Sequence, residues 1–296
     1  MKDTAICIFA CNRYVGIKNI IGDIKKNKNY KKYNYFFFID YPKNNKHLDS
    51  KEKIIQLVNN FSQFVKLNTI VRKKNYGLNK NILSGINLVK KKYKKFIVLE
   101  DDLRISKIYL NYMQELLNKY ENDKDIFSVT GYNFPKKLFK LKSKKFTCYT
   151  TKRPSSWAWG SWSKKWSKVT FKDAFYKKIY KNNKKIKIIS EYGNDLKYIL
   201  RDTLNKRIES WAIKWTIYHI LFNKYCIYPL NTLVNEEGYK YLPTNNFFKT
   251  SKFNHRNISN INNNNKTLKL EDEDIIKNIY NVYNFPIYKK IIKSLY

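Results

Sequence analysis

Three consecutive carboxylates, Glu100, Asp101 and Asp102, follow directly on an uninterrupted apolar run at residues 96–99. Such a run is typical of a central strand in a sheet that is covered on both faces. Carboxylates grouped at a strand end repel each other and resist desolvation unless a cation neutralises them. Mg²⁺ and Mn²⁺ prefer hard oxygen ligands and fill their remaining positions with water and phosphate oxygens. The triplet therefore predicts a divalent metal that carries a diphosphate; the alternative is a solvated acidic turn capping a helix that begins near Ser106.

A second candidate carboxylate, Glu209, stands just before an apolar helix that contains Trp211 and Trp215. One interpretation is a helix-start carboxylate favoured by the helix dipole, worth under ~1 kcal/mol. The other is a general base at the edge of a pocket. The residue types leave both interpretations open.

Alternating strands and helices position the triplet. Strands are predicted at 5–10, 35–39, 65–71 and 96–99, and helices at 15–28, 51–64 and 78–93. This βαβ series indicates an α/β fold with a mostly parallel sheet and helices on both faces. Ligands bind at the carboxyl ends of such strands, where this chain has Cys11, Arg13, Asp40 and the triplet. No GxGxxG or Walker motif is present, so a dinucleotide or P-loop site lacks its phosphate-binding loop.

Composition indicates an anionic partner. The 296 residues include 60 Lys and Arg against 23 Asp and Glu, a net charge of +37, and 43% hydrophobic residues, enough for one large domain with or without a tail. Nucleic acid, an anionic membrane face and a phosphorylated substrate all fit, although the many Lys, Asn, Ile and Tyr residues also suggest AT-rich coding drift. Four cysteines without a CxxC pair favour reduced thiols in a cytosolic compartment. No apolar stretch reaches the roughly 18 residues of a transmembrane helix, so any membrane contact should be peripheral.

Tryptophans crowd residues 157–166 and recur at Trp211 and Trp215. At this density they either fill a core beside the sheet or offer flat faces to sugar rings. We expect most of them in the core and one or two in an acceptor pocket, with Trp157, Trp159 and Trp211 as the candidates.

Five segments in order carry a resemblance to a known family. They are residues 8–13, 75–80, 98–102, 157–162 and 209–215. Together they resemble bacterial sugar transferases of the GT-A class, relatives of N-acetylglucosaminyltransferase I, over roughly residues 4–248. The resemblance implies a GT-A domain at 1–250 and leaves 251–296 as an Asn-rich linker with a basic amphipathic tail.

The resemblance also implies roles for the donor site. Phe9, Cys11 and Arg13 match the loop that holds uracil and ribose, and Asp40 matches a carboxylate that contacts the nucleoside. Arg72 stands where the relative has a histidine near uracil. These matches imply a UDP-sugar donor, with N-acetylglucosamine suggested by the relative alone.

The same resemblance makes Asp102 the direct ligand of Mn²⁺ (or Mg²⁺), with Glu100 and Asp101 contacting donor sugar and ribose. Glu209 matches the catalytic base, which is usually Asp. Residues 229–238, with Thr232 and Gly238, match the segment that closes over the donor. Further along this segment, Thr244 replaces a histidine of the relative.

The expected reaction is an inverting, metal-dependent sugar transfer to a hydroxyl of a surface-glycan or lipid-linked saccharide acceptor. The expected location is the cytoplasm, peripherally on the inner face of the membrane, where anionic lipid would meet the basic surface and tail. Helix 275–283 follows an acidic start, and residues 287–296 read as an interfacial helix or as a terminal helix packed on the body. Alternatives are a retaining or nucleotidyl transfer, a non-catalytic sugar-binding domain and a nucleic-acid-binding protein; the last predicts basic rather than acidic strand ends.

Overall fold

A central nine-stranded sheet organises the computed structural model, which describes residues 2–141, 145–238, 252–255, 257–260 and 267–284. In spatial order, its strands within these residues are β11 (Leu268–Lys269), β7 (Cys148–Thr151), β9 (Tyr225–Pro229), β6 (Ile126–Thr130), β8 (Trp159–Trp162), β4 (Tyr93–Glu100), β1 (Lys2–Ala10), β2 (Asn34–Ile39) and β3 (Lys66–Val71). Strands β4, β1, β2 and β3 are parallel, and β8 runs antiparallel to its neighbours β4 and β6.

Ten α-helices in the described residues connect and cover these strands. They are α1 (Tyr14–Lys25), α2 (Leu48–Ser62), α3 (Gly77–Val89), α4 (Tyr109–Lys119), α5 (Ser163–Trp166), α6 (Asp173–Tyr180), α7 (Asn183–Ser190), α8 (Asp195–Leu204), α9 (Trp211–Leu221) and α10 (Glu273–Tyr283). A separate antiparallel ribbon pairs β5 (Leu103–Ile105) with β10 (Val234–Glu236). None of the helices in the described residues is long and apolar enough to cross a bilayer.

Strand β1 shows why the sheet is covered on both faces. Ile6 and Ile8 point into one hydrophobic layer, while Cys7 and Phe9 point into the other. Alternate residues of a strand face opposite sides, so a strand that is apolar throughout requires helices on each side. The predicted α/β fold, with a mostly parallel sheet between helices, is confirmed.

The boundary between α3 and β4 differs from the prediction. The helix predicted to reach residue 93 ends at Val89, and the strand already begins at Tyr93. Lys95 looks like part of a solvated helix end, but it is a buried strand residue whose ammonium group donates to Asn118 and Glu121. A paired lysine inside a sheet has no signature in hydrophobic periodicity.

The acidic triplet does not cap a helix. Strand β5 comes directly after it, and α4 begins only at Tyr109 with no acidic residue in its first turn. The alternative interpretation of the triplet as a helix cap is therefore excluded. The carboxylates of the triplet lie between the buried strand β4 and the β5–β10 ribbon.

The C-terminal stretch 267–284 belongs to the same packed body. Strand β11 pairs with β7, and α10 buries Ile275, Ile279 and Val282 in the core. The side chain of Asp272 caps α10, as its acidic start predicts. The boundary at residue 250 stays a prediction, while residues 267–284 pack on the same core as the sheet. Residues 287–296, predicted as an amphipathic tail, lie outside the described residues.

Candidate functional site

The acidic triplet is tied to the loop after β1. Asp101 accepts hydrogen bonds from the Arg13 guanidinium (2.7 Å) and from the backbone N–H of Cys11 (3.1 Å). The same Arg13 nitrogen donates to Asp102 at 3.1 Å. Strands β1 and β4 are neighbours in the sheet, so the residues that follow their carboxyl ends meet. The structure thus brings together Cys11, Arg13 and the triplet, as the sequence predicts.

A fourth carboxylate, Glu236, joins the triplet from the β5–β10 ribbon. Its Oε1 accepts the N–H of Gly238, and a Cβ on Gly238 would lie 2.4 Å from Glu236 Oε1 and 2.9 Å from Asp102 Oδ2. The Asp102 carbonyl in turn accepts the N–H of Glu237 at 2.7 Å. Glu100, Asp101, Asp102 and Glu236 form what we term the carboxylate cluster. Gly238 fits there because it has no side chain.

Charge is unbalanced within this cluster. Burial and the neighbouring carboxylates of Asp102 and Asp101 raise the pKa of Glu100 to about 8. Burial raises the pKa of Asp102 to about 7 against the opposing effect of Arg13, and burial also raises the pKa of Glu236. The pKa values of these carboxyl groups therefore stay raised despite the charge of Arg13. The arrangement favours a further cation.

The side chains of the carboxylate cluster suit a divalent cation that prefers hard oxygen ligands. All four side chains offer carboxylate oxygens, the ligands that Mg²⁺ and Mn²⁺ take most readily. Within the described residues, however, no group of three or more His, Cys, Asp or Glu side chains is placed so that it could hold a metal ion. A metal here would be held by one or two carboxylates, with phosphate and water oxygens completing its shell.

Asp40, predicted to contact a nucleoside, holds a turn in this structure. Its carboxylate accepts backbone N–H groups from Tyr41 (2.9 Å), Tyr76 (2.8 Å) and Gly77 (3.0 Å). Burial raises the pKa of Asp40, while these three donors favour the ionised form. Asp40 therefore fixes residues 75–77, which lead from β3 into α3.

Glu209 lies against that turn. A Cβ on Gly77 would be 2.8 Å from Glu209 Oε2, and the φ angle of Gly77 is +71°, a conformation that favours glycine. The next residues are fixed as well, because Ser210 caps α9 and the N–H of Trp211 donates to Asn79 Oδ1 at 2.6 Å. Glu209 itself is exposed. It stands at the carboxyl edge of the sheet on the side of β2 and β3, while Asp102 follows the carboxyl end of β4.

Two predicted nucleotide contacts have structural partners of their own. Arg72 donates to Asn81 (3.0 Å) and Ser84 (2.9 Å), and its guanidinium lies 4.7 Å from the centre of the Tyr76 ring. Phe9 is buried and stacks on Phe38 at 4.9 Å. Phe9 thus supports the site from the core, whereas Arg72 and Tyr76 form a half-buried platform beside the Asp40 turn.

The thiol of Cys11 carries little reactivity here. Burial, followed by the nearby charges of Asp101 and Asp40, raises its pKa to about 12. The contribution of Cys11 to the site is its backbone N–H, which donates to Asp101.

The tryptophans predicted as acceptor contacts divide into two groups. Trp159 and Trp211 are buried, at 0% and 3% exposure, and stack on each other with centroids 5.2 Å apart. Neither ring presents a face to solvent, so stacking on an acceptor sugar does not fit this packing. Trp157 is half-buried and packs edge-on against Tyr132 at 4.7 Å.

Thr232 has a structural role in the described residues. It is buried, its hydroxyl donates to the carbonyl of Val234 at 2.7 Å, and it accepts the N–H of Asn133. These bonds shape the entry into β10 and so the placement of Glu236. Thr244 lies outside the described residues.

Sequence reasoning missed Glu236 as a member of the site. Its only local signal is the dipeptide Glu236-Glu237 before a glycine, within a segment predicted to close over the donor. Its position near Asp102 depends on the pairing of β5 with β10, which joins distant parts of the chain.

Comparison with known proteins gives structural similarity only. No protein-family model and no curated protein matches the chain. A crystal structure of S. aureus TarS 1-349 is similar with a TM-score of 0.49 at 12% identity, covering 79% of this chain and 60% of TarS 1-349. The same fragment in complex with UDP-GlcNAc gives a TM-score of 0.42 at 14% identity, covering 58% of this chain and 49% of that one. The mannosyltransferase PcManGT from Pyrobaculum calidifontis, in complex with GDP-Man and Mn²⁺, gives a TM-score of 0.38 at 10% identity, covering 53% of this chain and 44% of PcManGT. This chain thus spans less than two thirds of the length of each, and the assignment of its site depends on its own strand order and residues.

Proposed function

We propose that this protein is a metal-dependent glycosyltransferase that moves a sugar from a nucleotide-diphosphate donor to a hydroxyl group of a saccharide acceptor. One observation carries the proposal. The carboxylate cluster lies at the carboxyl edge of a mostly parallel sheet, with Arg13 bonded to Asp101 and Asp102 and with the pKa of Glu100 and Asp102 still raised. Such a site gains most from a divalent cation that brings phosphate oxygens with it.

Asp102 is the residue we propose to hold the metal, with Glu236 beside it. Bound Mn²⁺ or Mg²⁺ would supply Lewis-acid stabilisation of the negative charge that develops on the departing diphosphate. Arg13 fixes the directions of Asp101 and Asp102 through its two hydrogen bonds. Glu100 and Asp101 border the position proposed for the donor ribose and sugar.

Glu209 is the proposed general base. It accepts the proton of the acceptor hydroxyl while that oxygen forms a bond to the anomeric carbon of the donor. The bond from the anomeric carbon to the diphosphate oxygen breaks on the opposite face, and the nucleotide leaves with the electron pair. A single displacement of this kind inverts the anomeric configuration and needs only one protein base. Asp40 supports the base indirectly, because it holds the turn that Glu209 lies against.

A UDP-sugar is the proposed donor, with UDP-N-acetylglucosamine first among those to test, and the resemblance of the sequence motifs supports it. The proposed acceptor is a surface-glycan or lipid-linked saccharide at the inner face of the cytoplasmic membrane, held by a peripheral contact. The net charge of +37 supports an anionic surface as the partner of this enzyme.

Donor turnover tests the proposal directly. The wild-type chain should release UDP from UDP-N-acetylglucosamine in the presence of Mn²⁺ and a saccharide acceptor, and chelation should stop the release. Asp102→Asn should abolish this turnover, and Glu209→Gln should retain donor binding while losing transfer. Asp49→Asn, at an exposed pair with Lys53 on α2, is the matched control and should keep wild-type rates.

Three outcomes would contradict the proposal in different ways. Product with retained configuration, seen by NMR of the anomeric proton, would exclude the single displacement. Release of pyrophosphate from UTP supplied with a sugar 1-phosphate would indicate nucleotidyl transfer. Binding of sugar without turnover of UDP- or GDP-sugars would leave a non-catalytic sugar-binding protein.

A further inference from the structure

The rim of the site beside Glu209 is both strongly basic and apolar. The turn from β3 into α3, residues 72–80, contains four cationic residues and no acidic one. The loop from α8 to α9 adds Lys206 and Ile208 immediately before Glu209. We term the exposed basic and aliphatic side chains of these two segments the basic rim: Lys73, Lys74, Leu78, Lys80, Lys206, Arg207 and Ile208.

The two segments of the basic rim lie side by side. Glu209, next to Ile208, contacts Gly77, next to Leu78. The N–H of Trp211 bonds to Asn79 Oδ1 at 2.6 Å, a second attachment two residues further along each segment. Leu78 and Ile208 therefore lie on neighbouring segments, each next in sequence to a residue of the Gly77–Glu209 contact.

Leu78 and Ile208 are both exposed aliphatic residues of the basic rim. Leu78 is 43% exposed and Ile208 is 42% exposed. Lys73, Lys74 and Lys206 form no ion pair with the described residues, and Lys80 has its ammonium group 4.5 Å from the centre of the Tyr76 ring. Solvated lysines around projecting aliphatic side chains are the composition of an interfacial membrane contact.

We propose that the basic rim docks on the surface of an anionic phospholipid bilayer, with Leu78 and Ile208 entering the headgroup region and the lysines facing lipid phosphates. Charge complementarity favours an anionic surface, since residues 72–80 and 205–210 contain six cationic residues and one carboxylate, that of Glu209. Two aliphatic side chains favour a bilayer over nucleic acid, because binding to the phosphate backbone of nucleic acid depends on cations and stacking rings.

The orientation has a functional consequence that rests on the proposed transferase activity. A bilayer on the basic rim would lie next to the carboxylate of Glu209. An acceptor sugar attached to a lipid would then reach the base from the membrane side, while the donor occupies the carboxylate cluster beyond β4. Docking would place the two substrates on opposite sides of the proposed reaction centre.

Vesicle binding of the full chain, measured without donor, acceptor or metal, tests the docking surface. We expect co-sedimentation with vesicles that contain phosphatidylglycerol, little with pure phosphatidylcholine, and a decline as salt is added. The Lys73→Gln/Lys74→Gln variant should bind about 25-fold more weakly, from about fivefold for each lysine at ~1 kcal/mol. Leu78→Ser/Ile208→Ser should weaken binding several-fold at unchanged charge.

Helix α7 provides a matched control. Lys184 and Lys185 are exposed, and Ile188 nearby is 44% exposed, so the same kinds of side chain occur away from the site. The Lys184→Gln/Lys185→Gln and Ile188→Ser variants should bind vesicles as the wild type does.

Three results would overturn the proposal. Equal losses for the rim and α7 variants would indicate attraction by overall charge. Absence of any preference for anionic vesicles would exclude the bilayer. Salt-dependent binding to DNA without vesicle binding, lost in Lys73→Gln/Lys74→Gln but kept in Leu78→Ser/Ile208→Ser, would assign the rim to a polyanion. Because no transfer is measured, failure of docking leaves the proposed activity intact, and failure of the activity leaves the docking result standing.

Discussion

Replacing Gly77 by alanine should impair the proposed base through a contact of known size. The new Cβ would lie 2.8 Å from Glu209 Oε2 and 3.3 Å from Oε1, whereas ordinary contact begins near 3.4 Å. The carboxylate must therefore move by about 0.6 Å. A misplacement of ~1 Å costs on the order of 100-fold in rate, so we expect kcat to fall about tenfold, with a smaller change in KM for the donor.

Backbone strain adds a separate effect on stability. The φ angle of Gly77 is +71°, and an alanine in this region costs roughly 1–2 kcal/mol of folding free energy. Gly77→Asn separates the two effects, since asparagine tolerates a positive φ but still carries a Cβ. Gly77→Asn should regain stability in urea titrations and keep the loss of kcat. Gly22→Ala is the control, because a Cβ there meets nothing within 4 Å.

A double-mutant cycle decides whether the effect passes through the base. If Gly77→Ala acts by moving Glu209, adding it to Glu209→Gln should cause no further loss of transfer rate. A further tenfold loss in the Glu209→Gln background would refute this reasoning. So would a Gly77→Asn variant with wild-type kcat.

Three further predictions concern charge. Without metal, the free energy of unfolding should decrease as pH rises from about 4 through 8. The raised pKa values of Glu100 (about 8) and Asp102 (about 7) mean that the folded state binds more protons than the unfolded state in this pH range. Urea titrations across the range should show this decrease, and Mn²⁺ should reduce its slope. Arg13→Gln should lower metal-free stability above pH 7 because Asp101 and Asp102 lose their shared donor, and a thermal scan should show the deficit shrinking when Mn²⁺ is added. Arg153→Met should cost about 3–5 kcal/mol in urea unfolding because it leaves buried Asp195 unpaired, whereas Arg201→Met, at a partly exposed pair with Asp202, should cost no more than ~1 kcal/mol; equal costs would contradict the burial argument.

Much of the first half of the fold could be predicted from sequence because its strands and helices are periodic. Residues 96–99 are apolar at every position, and this pattern correctly predicts a central strand that ends at the acidic triplet. The meeting of Arg13 with that triplet also follows from parallel strands ending at one edge. The helix end near Tyr93 could not be predicted, since buried Lys95 resembles a surface residue until its partners are known.

Other parts of the site depend on contacts that local sequence does not record. Glu236 joins Asp102 only through the pairing of distant strands, and the engagement of Asp40 by three backbone amides depends on the shape of one turn. The burial of Trp159 and Trp211 was equally hidden, because a tryptophan in a core and one in a sugar pocket have the same local pattern.

Thermal unfolding with UDP and Mn²⁺, each alone and together, tests the central claim most directly. A ligand that binds only the folded state at 100 times its Kd adds about 2.7 kcal/mol of stability. We predict a clear rise in Tm when UDP and Mn²⁺ are present together, a much smaller rise with either alone, and no joint effect in Asp102→Asn. An equal rise with UDP in the presence of a chelator, or a full joint effect in Asp102→Asn, would contradict a metal-diphosphate site at the carboxylate cluster.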